Sequence, residues 1–184
     1  MNRLQIWNKN IVSPDLIYKF NSQNIHDIIY FENFVLKSCI NTSVSESKDI
    51  IFGLISLELL TNQKAKLLRT RKSIAAFKTR KFIPISSKTT IRKKNLYSYL
   101  DYFVCVVLPK LPQLKELEKG SLVHSRTSLS IGLTNLSIFP QLSKETEQLP
   151  KDMGITITIN TSNVKSSSDL LIYLGEFQIP ISVD

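Results

Sequence analysis

The chain has 184 residues, a mass of 21.0 kDa, 42% hydrophobic residues and a formal charge of +9. That is apolar material enough for one compact domain and too much for wholesale disorder. No run approaches the ~18 apolar residues of a membrane span, since Phe103 to Leu108 is bounded by Asp101 and Lys110.

In chain order, a short helix is expected first, capped by Ser13, with Pro14 at its first position and Leu16, Ile17 and Phe20 on its apolar side. Asn21 to Asp27 reads as a turn. Ile28 to Cys39 then reads as a strand, with Phe34 and Leu36 on one face and Val35 and Lys37 on the other. Ser43 with Glu46 resembles a capping box, opening a helix whose inward stripe is Ile51, Leu54, Ile55 and Leu59, with Asn62 as its stop. Lys64 to Arg71 and Ile83 to Ile91 read as short strands holding an exposed loop, Lys72 to Phe82, between them. Asn95 is placed to cap a helix with the stripe Leu96, Tyr99, Leu100, Phe103, Val104 and Val107, ended by Pro109 and Pro112. That spacing makes Tyr99 core and leaves Tyr97 and Tyr102 flanking it, against a base-stacking trio.

Lys115 to Ser125 is connection without a clear pattern. Thr127 to Leu133 alternates with Leu129, Ile131 and Leu133 inward, and Ser137 to Gln148 is polar, punctuated by Phe139-Pro140. Ile155, Ile157 and Ile159 give the strongest strand signal. A last helix begins at Ser166 to Asp169 and carries Leu170, Leu171, Leu174 and Phe177. Interleaved helices and strands without glycine-rich turns between them predict an α+β fold: one mostly antiparallel sheet, helices packed on a single face, and the other face open to a partner. Residues 1–184 read as a single domain with a basic loop at 72–82 and frayed termini.

The charge is not spread evenly. Thr61 to Leu100 holds twelve of the 24 Lys and Arg and none of the 15 acids, so the remaining chain carries twelve cations against fifteen acids, a net −3. Charge concentrated in this way repels itself unless a polyanion answers it. Gln63, Ser73, Ser86, Ser87, Thr89 and Thr90 are interleaved with the cations. That mixture suits phosphate and 2′-hydroxyl contacts on a folded nucleic acid better than a merely solvated basic face.

Catalytic chemistry is hard to find. His26 and His124 have no Cys or carboxylate at metal-ligand spacing, and no phosphate loop, dinucleotide fingerprint or nucleophile elbow occurs. Glu58, alone in an apolar part of its helix, suits a pairing or capping role. Cys39 and Cys105 stand apart in apolar surroundings, which predicts buried free thiols in a reducing compartment. Neither an enzyme nor a cofactor is expected.

Residues 58–101, ELLTNQKAKLLRTRKSIAAFKTRKFIPISSKTTIRKKNLYSYLD, resemble the core of the family of large-subunit ribosomal protein five in the bacterial numbering. RTRKSIAAFKTRKFIPI is the most specific piece, similar to the family's basic pair, Lys-Ser-Ile-Ala-Gly-Phe-Lys run and Pro-Ile. KFNSQNIHDI, SLSIGLTNLSIFPQL and KDMGITITINT resemble further family segments in the same order, so the resemblance covers nearly the whole chain. It implies a structural constituent of the large ribosomal subunit that binds 5S rRNA and large-subunit rRNA in the central protuberance. It also implies contact with P-site tRNA and with neighbouring ribosomal proteins, one of them in the small-subunit head. No membrane or small-molecule substrate is implied. A non-ribosomal binding protein for a structured RNA is the alternative.

Carried over residue by residue, Gln63 and Thr90 match family residues that contact 5S rRNA from the sheet. Lys37, Lys64, Lys66, Lys88 and Arg92 complete the rRNA-binding set. Lys72, Ser73, Ala75, Phe77 and Lys78 match the tRNA-facing loop, to which Arg71, Arg80 and Lys81 add charge. Phe77 reads as an anchor for the loop base in preference to a stacking group.

The chain departs from the family pattern at Lys37-Ser38-Cys39, where the family has Asn-Met-Gly; at Ala76, where it has glycine; and in HSRTSLS, which keeps Arg126 but neither family glycine. A lysine can hold a phosphate but cannot both donate and accept as an amide does. With only 5 Gly and a usage rich in residues with A/T-rich codons, these departures suggest an organelle-encoded member of a mitochondrial ribosome. Another organelle or a bacterial cytoplasm ranks behind it. MNRLQIWNKNIVSP lacks the repeated arginines of a transit peptide, so no cleaved signal is expected.

Overall fold

A computed structural model describes residues 2–40, 49–76, 79–111, 122–125, 127–142 and 153–179. Among these, six strands form one sheet: β1 (Tyr30–Ile40), β2 (Lys66–Arg69), β3 (Pro84–Ile91), β4 (Leu122–His124), β5 (Ser128–Leu133) and β6 (Met153–Ser162). Their order is β2-β3-β1-β6-β5-β4. Helices pack against this mostly antiparallel sheet, which is the expected α+β arrangement. The helices are α1 (Arg3–Trp7), α2 (Ser13–Phe20), α3 (Asp49–Thr61), α4 (Lys93–Tyr102) and α5 (Ser167–Gly175). The chain divides into two compact units, and the boundaries run through β1, β3, β5 and β6.

The first unit takes in residues 1–34, 91–131 and 158–184. Its centre is aromatic. The Phe31 ring lies 4.7 Å from Tyr173, 4.9 Å from Phe177 and 5.7 Å from Phe34, centroid to centroid, mostly tilted or edge-on as ring quadrupoles prefer. Tyr99 packs 6.1 Å from Phe34. Burial raises the phenols of Tyr99 and Tyr173 far above their ordinary range, so both stay neutral. The stripe expected on α4 is therefore correct at Leu96, Tyr99, Leu100, Phe103 and Val107, all buried, with Val104 half-buried.

Two starts in this unit differ from expectation. Ser13 caps nothing, because the chain is already helical from Arg3 through a wider π turn, Asn8–Val12. The Ser13 hydroxyl donates to the Asn8 carbonyl (2.8 Å), and the π turn carries the helix up to Pro14, which has no N–H to give. Nor does Asn95 cap α4. The extended Arg92 and the left-handed Lys93 (φ 55°) turn the chain out of β3, and the helix begins before Asn95 is reached. At the other end α5 opens as expected: Ser166 Oγ accepts the Asp169 N–H (3.4 Å) and the Asp169 carboxylate accepts the Ser166 N–H (2.9 Å).

The second unit takes in residues 35–90 and 132–157. Along β6, Met153, Ile155 and Ile157 are buried while Thr156 is exposed, as the alternation predicts. Leu136, Ile138, Phe139 and Leu142 are also buried, so the segment read as polar punctuation supplies core. On α3 the expected inward stripe is wrong. Ile50, Gly53, Ser56, Leu57 and Leu60 are buried, whereas Ile51, Ile55 and Leu59 are exposed and Leu54 is half-buried. This helix is apolar nearly all round, and its small residues Gly53 and Ser56 are on the buried side. The expected capping box at Ser43 and Glu46 lies outside the described residues.

Candidate nucleic-acid interface

The interface is built on α3, β2 and β3. Thr61 Oγ1 donates to the Leu57 carbonyl (2.7 Å), and Asn62 adopts the left-handed conformation (φ 51°) that stops the helix. The Glu58 carboxylate then accepts the Ala65 N–H (2.9 Å), the capping kind of role expected of it. These bonds hold the turn that carries Gln63, half-buried, and Lys64, exposed, and deliver the chain into β2.

β2 and β3 pair antiparallel with Lys66 directly opposite Lys88, Leu67 opposite Ser87 and Leu68 opposite Ser86. Directly opposed residues share a sheet face, with Cβ atoms about 4.5–5.5 Å apart. Two lysines are thus held side by side, and a like-charged pair so placed is destabilising unless an anion lies between or above them. On β3, Ser87, Thr89 and Ile91 are buried while Lys88 and Thr90 between them are half-buried. On β1, Leu36 and Ser38 are buried and Lys37 and Cys39 exposed. Lys37, Lys88 and Thr90 therefore sit on the side of their strands away from the core. Arg92, exposed, follows β3 at the entry to α4.

The loop between β2 and β3 is closed by Thr70. Its backbone N–H donates to the Ile83 carbonyl (2.9 Å), its carbonyl accepts the Phe82 N–H (3.1 Å), and its hydroxyl donates to the Arg80 carbonyl (2.6 Å). Further out, Ile74 and Thr79 exchange backbone bonds of 3.1 and 3.2 Å. Arg71, Lys72, Ser73, Arg80 and Lys81 are all exposed, while Phe77 and Lys78 lie outside the described residues. Thr70, Arg71, Lys72, Ile74, Thr79 and Ile85 line an open cleft of about 470 Å³ with an apolar floor and a cationic rim.

Among the described residues the ion pairs are Arg3–Asp101, Lys19–Asp15 and Lys19–Glu176. None engages a cation of the basic stretch, so among the described residues its charge has no acidic partner. Sequence reasoning passed over two residues here. Thr70 is the clasp of the loop, and Phe82 is exposed beside Lys81; the signal for Phe82 was an aromatic directly after Arg80-Lys81.

No described cluster of His, Cys, Asp and Glu could hold a metal ion. His26 is exposed in a turn, and its carbonyl accepts from the Asn163 side chain (2.6 Å). Both cysteines are free, as expected, but exposed rather than buried. Cys39 falls on the outward side of β1. Cys105 falls in the wide turn after α4, where Arg3 donates to its sulfur (3.2 Å).

A model of the C-terminus of the ribosomal L5 protein family matches residues 84–181. The chain is 33% identical to the large ribosomal subunit protein uL5m of Reclinomonas americana, over 99% of both chains. The chain belongs to the ribosomal L5 family. It is also 31% identical to the large ribosomal subunit protein uL5 of Buchnera aphidicola subsp. Cinara cedri (strain Cc), over 98% of both chains. Membership places it in a family of structural, non-catalytic ribosomal proteins, in keeping with the lack of catalytic motifs. The family model covers β3 with Lys88, Thr90 and Arg92. Lys37, Gln63, Lys64, Lys66 and the loop fall within the full-length likeness alone.

Proposed function

We propose that this protein is a structural, RNA-binding component of the large ribosomal subunit that holds 5S rRNA in the central protuberance. The observation that carries the proposal is the Lys66–Lys88 pair: two cations fixed opposite each other on paired strands, with no ion pair to either among the described residues. A rigid, folded RNA is suited to such a surface, because paired strands keep polar groups in constant register. Lys37, Gln63, Lys64, Lys66, Lys88, Thr90 and Arg92 form the rRNA-binding set.

The loop carrying Arg71, Lys72, Ser73, Phe77, Lys78, Arg80 and Lys81 is assigned to P-site tRNA. Such a partner arrives and leaves, and an outward-reaching basic segment suits repeated release. Contacts with large-subunit rRNA and with a protein of the small-subunit head complete the reading, which treats residues 1–184 as one RNA-binding domain. A/T-biased residue usage and the likeness to uL5m support a mitochondrial ribosome over a bacterial one.

Crosslinking from Lys37, Lys64 and Thr90 in intact ribosomes, followed by RNA sequencing, tests the proposal. Recovery of 5S rRNA is the expected result, and recovery of the protein only in free ribonucleoprotein overturns it. Salt titration gives an independent measure. If about five cations neutralise phosphates, log K falls with log salt at a slope of roughly −3.5 to −4.5. A slope shallower than about −1 would mean the clustered charge is not the contact surface.

A further inference from the structure

Phe82 is 64% exposed and sits in the left-handed region at φ 69°. Both facts run against an aromatic residue: water disfavours the ring, and a bulky side chain at positive φ is a conformational outlier. The conformation is nevertheless held on both sides. Thr70 accepts the Phe82 N–H (3.1 Å), and the Thr70 N–H donates to the Ile83 carbonyl (2.9 Å). Elsewhere the chain places asparagine in left-handed turns, at Asn21, Asn62 and Asn163, with Lys93 and Gln178 the other non-glycine cases among the described residues. Phe82 is the one aromatic among them. Backbone strain retained with a costly exposed ring points to a use for that ring.

The surroundings indicate the use. The Lys81 ammonium stands 5.0 Å from the ring centroid, and Arg80 and Lys81 are exposed without an acidic partner among the described residues. An aromatic face flanked by cations matches both parts of a nucleotide, a flat base and a phosphate. We propose that Phe82 is a stacking platform for an unpaired nucleobase of bound RNA, with Lys81 as the counter-charge for the neighbouring phosphate. This rests on reading the basic stretch as an RNA contact. It adds recognition of a single-stranded element, which charge alone cannot provide.

Three variants of the full chain test it: Phe82→Asn, which suits the turn but lacks a ring; Phe82→Leu, apolar without a π face; and Phe82→Tyr, which keeps the face. Melting curves establish that each is folded. Affinity is then measured for a short single-stranded oligoadenylate and for a fully paired RNA duplex of the same length. With the single strand, Phe82→Asn and Phe82→Leu should each bind about 5- to 150-fold more weakly, while Phe82→Tyr stays within about twofold. The salt slope should not change, because no phosphate contact is removed. With the duplex all four proteins should bind alike. Single-strand affinity unchanged in Phe82→Asn, a loss in Phe82→Tyr as large as in Phe82→Asn, or equal losses on strand and duplex would each overturn the proposal. The ribosomal reading fails separately, if the wild-type chain prefers 5S rRNA no more than an unrelated RNA of equal length.

Discussion

The aromatic centre around Phe31 and the β2–β3 pair with its loop solve opposite problems. Around Phe31 the rings pack on one another inside the protein, and Phe31, Phe34, Tyr99, Tyr173 and Phe177 are all buried. On β2 and β3 lysine faces lysine, the described loop cations have no acidic partner among the described residues, and a phenylalanine stands in solvent. The first region has its rings packed on one another as folded, although the Tyr99 hydroxyl is buried without a hydrogen-bond partner among the described residues. The second is read as the surface for an anionic partner, so on that proposal its side chains report on binding and those of the first on stability.

The largest effect should come from breaking the aromatic region. Phe31→Ala removes a ring packed against four others and should cost about 3–5 kcal/mol of stability. Urea unfolding measures this, and the fraction still folded should keep its RNA affinity. A cost below about 1 kcal/mol would show that the cluster is loosely packed.

The binding region is separable by two sets of changes. Replacing Lys72, Lys78, Arg80 and Lys81 together with alanine should leave 5S rRNA affinity within roughly tenfold while weakening tRNA protection on reconstituted ribosomes. Replacing Gln63 and Thr90 should do the reverse, at about 0.5–3 kcal/mol for each lost contact. Filter binding and footprinting read the two outcomes. A hundredfold loss of 5S binding in the loop variant, with the sheet variant normal, would reverse the assignment of the two surfaces.

Smaller changes sharpen the contrast. Asp169→Ala opens the capping box of α5 and should lower stability by about 1 kcal/mol, seen as an earlier urea midpoint, without altering RNA affinity. Lys66→Ala should be the telling small effect. Relieving the opposed charges ought to leave the free protein unchanged or more stable by up to about 1 kcal/mol, while RNA binding weakens. A clear loss of stability in that variant would mean the lysine stem packs on the protein.

Most strands were legible because burial on one face imposes a period of two. Ile155, Ile157 and Ile159 can be buried together only in one way, and Leu129, Ile131 and Leu133 likewise. The helix α3 resisted for the opposite reason. With Ile50, Ile51, Leu54, Ile55, Leu57, Leu59 and Leu60 spread round its circumference, helical spacing offers more than one apolar stripe. The choice falls to tertiary packing, which took Gly53 and Ser56 inward. Ser13 and Asn95 carried sound local cap chemistry, but the first lies inside a longer helix and the second follows a turn already made by Lys93. At the interface the cations were visible as composition. The opposition of Lys66 and Lys88 depends on register, which only pairing reveals, and the exposure of Phe82 depends on a backbone angle set by Thr70.

The position of β2 has a consequence before any RNA is met. It is an outermost strand of the sheet, and its outer rim is the kind of edge to which a second copy could add a strand of its own. Lys66 and Arg69 stand on that strand, both exposed, and any copy approaching edge to edge would bring its own cations against them. Edge charge of this kind is a common device against edge-to-edge pairing, so it would also oppose polymerisation of unassembled chains through their sheets.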